Sequence, residues 1–95
     1  MANIRHQKPR LEAEITTLFQ LYTTHAVINA KILKEAFGIS SNTALRAIRL
    51  CINDAKEKGT YYPSNPNEIS TINFFNFYGW DISHIESAYK MKHLQ

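Results

Sequence analysis

Asn-Ala-Lys-Ile-Leu-Lys-Glu-Ala-Phe-Gly-Ile-Ser-Ser-Asn-Thr-Ala-Leu-Arg-Ala-Ile-Arg-Leu-Cys-Ile-Asn, residues 29–53, decides the fold. Asn29 has the side chain of a helix N-cap, and it precedes a short run, Ala30 to Phe37, in which Ile32, Leu33, Ala36 and Phe37 fall on one face while Lys31, Lys34 and Glu35 fall on the other. Gly38 can leave that helix in the left-handed conformation, so the chain is expected to turn there. Ile39 then plugs the angle between two helices, and Ser40 or Ser41 caps the next one.

That next helix is expected from Ser41 or Asn42 to Lys58, where Gly59 breaks it. Leu45, Ile48, Ile52 and Ala55 recur along one side, with Ala44 and Cys51 beside them, and Asn42, Arg46, Arg49, Asn53 and Lys56 recur along the other. No acidic residue occurs between Gly38 and Asn53, although Asp54 and Glu57 follow. An Asn can bond both edge groups of adenine, and an Arg can bond both acceptors of guanine. Asn42, Thr43 and Arg46, on the first turns, are therefore the expected base contacts. Ser41, Arg49, Asn53 and Lys56 are the expected backbone contacts, joined by Lys31 and Lys34 from the preceding helix. The competing interpretation is a solvated helix face in which Arg49 or Lys56 pairs with Asp54 or Glu57.

The stretch resembles the helix-turn-helix proteins of phages, integrative elements and plasmids, including small excisionase-like and regulatory proteins with short GhS.sTa.R.I segments; the chain has GISSNTALRAI at 38–48. The likeness spans residues 29–58, 30 of the 95. It maps the turn glycine to Gly38, the hydrophobic plug to Ile39 and the exposed start of the recognition helix to Ser41 through Arg46. Lys34 and Glu35 stand where many such proteins carry a small residue between the helices, a place Ala36 fills after a one-residue shift. The resemblance implies double-stranded DNA as the partner, and a regulatory or accessory role in mobile-element maintenance.

The flanks read as further helix. Pro9 suits a first helical turn, and Leu11, Ile15, Leu18 and Tyr22 then draw an apolar stripe expected to end before Thr23-Thr24-His25. Tyr61-Tyr62-Pro63-Ser64-Asn65-Pro66 reads as a turn, offering at most one short strand and no complete wing. Asn65-Pro66-Asn67-Glu68 has the pattern of a helix start, with that helix carried to Tyr78 and stopped at Gly79. Asp81 or Ser83 caps a last helix, with Ser83 and Glu86 spaced as a capping box and Ile82, Ile85 and Tyr89 on one side. The expected fold is all-α, one domain of four to five helices over residues 1–95, with a helix-turn-helix core at 29–58 and a C-terminal helical hairpin at 65–94.

Composition sets bounds. A net charge of +3 is spread as +3 over residues 1–34, +1 over 35–58 and −1 over 59–95, which favours an anionic partner at the N-terminal half. Arg5, Lys8 and Arg10 read as a basic arm making phosphate contacts. The single Cys51 allows no internal disulfide, and no apolar run is long enough to span a membrane, so a cytoplasmic protein is expected. His6, His25, His84 and His93 are scattered, no catalytic motif occurs, and neither an enzyme nor a cofactor or metal site is expected. Phe74, Phe75, Phe77, Trp80 and Tyr89 form an aromatic group that serves either as the core or as a partner surface. That group leaves a homodimer, or a protein-binding module that inhibits or recruits a host or phage factor, as the alternative to DNA reading alone.

Overall fold

The computed structural model describes residues 8–60 and 67–94, and there the chain is mostly helical. The order is α1 (Ile15–Thr24), β1 (Val27–Asn29), α2 (Ala30–Phe37), α3 (Ser41–Glu57), β2 (Glu68–Ser70), α4 (Thr71–Tyr78) and α5 (Ile82–His93). The expectation of an all-α domain is thus corrected by a two-stranded sheet. β1 and β2 pair antiparallel, with Val27 opposite Ser70, Ile28 opposite Ile69 and Asn29 opposite Glu68. Both central isoleucines are 0% exposed, so one branched residue from each strand enters the core.

The last residue of each strand also caps the helix that follows. Asn29 Oδ1 accepts from the Ile32 amide at 3.0 Å, and Ser70 Oγ accepts from the Asn73 amide at 3.1 Å. Next to the sheet, the Thr71 amide donates to the Ala26 carbonyl at 3.0 Å, and its hydroxyl donates to the His25 carbonyl. These bonds satisfy the one polar side chain that is buried among the described residues. They also overrule the helix start expected at Asn65-Pro66-Asn67-Glu68: Glu68 to Ser70 are strand and the cap is Ser70. Residues 61–66 lie outside the described residues, as do the expectations for Tyr61 and Tyr62.

α2 has the expected bounds, and Gly38 follows it at φ 64°, ψ 35°, its amide donating to Lys34 O at 2.9 Å. Ser40 caps α3, accepting from the Thr43 amide at 3.2 Å. α3 buries Ala44, Ala47, Ile48, Cys51, Ile52 and Ala55, whereas Leu45, expected inward, is only half-buried. The first helix differs more. α1 starts at Ile15 and runs through Thr24, and Pro9 lies in an extended strap ahead of it rather than in its first turn. Tertiary contacts explain this: Pro9 and Leu11 are buried in that strap, and Tyr78 Oη donates to Pro9 O at 2.7 Å.

A repeat that the sequence did not announce organises the middle and end of the chain. Residues 27–29 and 68–70 are three-residue strands, 30–37 and 71–78 are eight-residue helices, and Gly38 and Gly79 end them with φ of 64° and 72°. Ile39 and Trp80 follow as half-buried plugs, and Ser40 and Asp81 cap α3 and α5. Every equivalent pair is offset by the same interval as the paired isoleucines Ile28 and Ile69. At α5 the cap is Asp81, whose Oδ1 accepts from the Ser83 amide at 2.9 Å, so Ser83 lies inside the helix and does not cap it. α5 rests chiefly on α1, where Phe19 and Tyr89 stack with ring centroids 4.0 Å apart.

Candidate nucleic-acid interface

α2 and α3 hold the charged side chains expected from the sequence in one surface. With its apolar face in the core, α3 turns Ser41, Asn42, Arg46, Arg49, Asn53 and Lys56 to solvent, and all six are exposed. Steps of four, three, four and three from Asn42 through Arg46, Arg49 and Asn53 to Lys56 align them as one stripe. Lys31 and Lys34 are exposed on α2 and share a hollow with Ser41 at the first turn of α3, a hollow that Ala30 and Glu35 also line. Two ammonium groups and the Glu35 side chain thus stand beside the positive end of a 17-residue helix.

Neither Arg46 nor Arg49 is paired with a carboxylate among the described residues. Asp54, one of the acids considered as a partner for Arg49, meets Lys58 one turn later at 3.1 Å. Thr43 stands apart from the other expected base contacts. It is half-buried, its amide is held by Ser40 Oγ, and its hydroxyl oxygen accepts from the Ser40 hydroxyl at 2.9 Å. Thr43 therefore belongs first to the cap, leaving its methyl group as the part suited to a thymine.

The basic arm is redistributed. Lys8 Nζ donates to the Phe77 carbonyl at 2.7 Å and lies over the rings of Phe77 and Tyr78, 5.0 and 5.2 Å from their centroids. Arg10 lies 3.6 Å from Glu12, both well exposed, and Arg5 falls outside the described residues. Sequence reasoning missed the role of Tyr78, which binds the strap through Pro9 O and lies within the electrostatic reach of Cys51 and Arg46 on α3. Burial pushes its hydroxyl up to about 12, the nearby Cys51 acts in the same direction, and the Arg46 guanidinium opposes them. Only the contact at Pro9, 69 residues away, reveals this role, and no local pattern carries it.

The aromatic group divides. Phe74 and Phe75 are 0% and 2% exposed and belong to the core, the first of the two roles open to them, and so drop out of the possible partner surface. Phe77, Trp80 and Tyr89 are half-buried, with Trp80 in contact with the rings of Phe37, Phe74, Phe75 and Tyr78. The exposed apolar residue of α4 is Ile72, at 60%, beside a hollow lined also by Tyr22, Trp80 and Ile82. Among the described residues no three His, Cys, Asp or Glu side chains gather as a metal would require, and no helix is long and apolar enough to cross a membrane.

No family model, curated protein or solved structure matches the chain.

Proposed function

We propose that the chain binds double-stranded DNA sequence-specifically, placing the start of α3 in a major groove while α2 braces it, and that it serves as a regulator or accessory factor of a mobile element. The observation that supports this most is the stripe Asn42, Arg46, Arg49, Asn53: exposed, on a stretch with no acidic residue between Gly38 and Asn53, and with neither arginine in an internal ion pair among the described residues. Asn42 and Arg46 on the first two turns read bases, while Ser41, Arg49, Asn53, Lys56, Lys31 and Lys34 hold phosphates and fix register. Such contacts act by occupying a site. A module this small gains specificity from a second half-site, so a homodimer on DNA belongs to the same proposal.

Fluorescence anisotropy against short duplex pools at several salt concentrations tests the reading. The native chain is expected to select a sequence, and Arg46→Ala to lose about 1–3 kcal/mol of that discrimination. Arg49→Ala should weaken binding to all sequences alike, with a shallower salt dependence. Salt-insensitive or unselective binding, unchanged by either substitution, overturns the reading. The hollow beside Ile72 favours one second reading, a protein-binding module, in which case Ile72→Asp would abolish capture of a partner while leaving any DNA binding intact.

A further inference from the structure

The two repeated units carry the same hollow with opposite linings. Beside α2 and the first turn of α3, Lys31, Lys34, Glu35 and Ser41 line a hollow of about 310 Å³ together with Ala30. Advancing these four by the interval from Gly38 to Gly79 gives Ile72, Phe75, Asn76 and Ile82, and all four line the hollow of about 380 Å³ beside α4 and the start of α5. Isoleucine and phenylalanine thus stand where the first unit has its two lysines, and isoleucine where it has the serine. Tyr22 and Trp80 add ring surface to this second hollow, and Asp81 adds a carboxylate that is in no ion pair among the described residues. Such a lining repels a polyanion and suits an apolar side chain with a cation beside it.

The large apolar side chains most exposed among the described residues are Ile72, at the hollow, and Met91 and Leu94, at the far end of α5. Met91 and Leu94 are three apart and share a face of the helix. Lys92 lies between them in sequence and makes no ion pair among the described residues, whereas Lys90 is held by Glu86 at 3.1 Å. We propose that a second copy of the chain fills the Ile72 hollow with its Met91 and Leu94, setting its Lys92 beside Asp81. The same molecule cannot do so, because α5 starts at the hollow with Ile82 and runs 12 residues away from it, about 18 Å. Two α5 helices lying antiparallel bring each hollow to the partner's last turn, so the contact is reciprocal and closes as a twofold dimer. None of these contact residues belongs to α2 or α3, and each copy keeps its own stripe exposed. The inference rests on the homodimer in the reading above and is independent of its DNA contacts.

Sedimentation equilibrium of the full chain without DNA decides the matter, with two variants that alter exposed positions and so spare the core. The native chain is expected to dimerise, and Ile72→Asp and Leu94→Asp each to weaken that association by about tenfold or more. Mixing the two variants is the sharper test. Ile72→Asp keeps a native last turn and Leu94→Asp keeps a native hollow, so the mixture should form a heterodimer through one intact seat, tighter than either variant alone and weaker than the native pair. Asp81→Asn, which keeps a capping side chain and removes the charge, should weaken the native dimer by about two- to fivefold, with no further loss from Lys92→Gln in that background. A native chain that stays monomeric overturns the proposal and leaves the hollow to a partner other than a second copy. A dimer indifferent to both aspartates overturns it too, as does a mixture that stays monomeric or a loss from Lys92→Gln that adds in full to that of Asp81→Asn. Intact dimerisation with unselective duplex binding would overturn the DNA reading and leave this seat standing.

Discussion

The buried Cys51 thiol of α3 and the half-buried Tyr78 hydroxyl of α4 contribute to the chain's response to alkali. Burial raises the Cys51 thiol from 9.0 to about 12, reinforced by the Asp54 carboxylate and opposed by Lys58, and burial raises the Tyr78 hydroxyl from 10.0 to about 12. Both groups hold their protons more tightly folded than unfolded. Their stabilising effect is therefore fully present below about pH 9 and is lost as pH rises toward 12. Thermal melts between pH 8 and 11 should show a falling midpoint, and Tyr78→Phe should begin lower but decline less steeply. A flat profile in the native chain would contradict this assignment. At the same scale, the residues that local chemistry controls were readable in advance: Asn29 as a cap, Gly38 as the left-handed turn, and Arg46 and Arg49 as outward cations. Lys8 was not, because its partner is the carbonyl of Phe77, and nothing near Lys8 in sequence encodes that acceptor.

Elements repeat this distinction. α2 and α3 were legible because cap, period and glycine agree over residues 29–58. The strands were not: three residues each are too short for an alternation to register, and Asn67-Glu68 beside Pro66 mimics a helix start that the pairing of Ile69 with Ile28 overrules. The aromatic run was ambiguous for another reason, since ring content alone does not separate a core helix from an interface, and only burial assigns Phe74 and Phe75 to the interior. The glycine between α2 and α3 gives a clean test. A methyl group at Gly38 would meet no atom within 4 Å, so the whole cost of Gly38→Ala is the backbone's left-handed conformation, about 1–2 kcal/mol. Gly38→Asn should lose less, since Asn visits that region more readily. Denaturant melts that place Ala and Asn at equal stability would count against that account.

For the whole molecule, the sheet is small but central. Ile28 and Ile69 join the two repeated units through their opening strands, each fully buried and each in the strand that leads into a capped helix. Removing either side chain leaves a cavity at that junction, and Ile28→Ala or Ile69→Ala is expected to cost about 2–5 kcal/mol by urea denaturation. The double substitution should cost less than the sum, since the two share one contact. Losses below about 1 kcal/mol for either single variant would mean that the rung is peripheral and that α1 with α5 carries the closure.

That rung also fixes an order in time. α2, Gly38 and α3 are neighbours along the chain, so their pairing closes a short loop and can form early. The rung between Ile28 and Ile69 must gather the whole of α3 and the segment after it, and the Phe19–Tyr89 stack and the Lys8–Phe77 bond, the latter 69 residues long, close nearly the entire chain. The helical pair that carries the arginines is thereby the natural nucleus, and the N-terminal strap the last piece to dock: the chain assembles its outward-facing stripe before it fastens its own beginning.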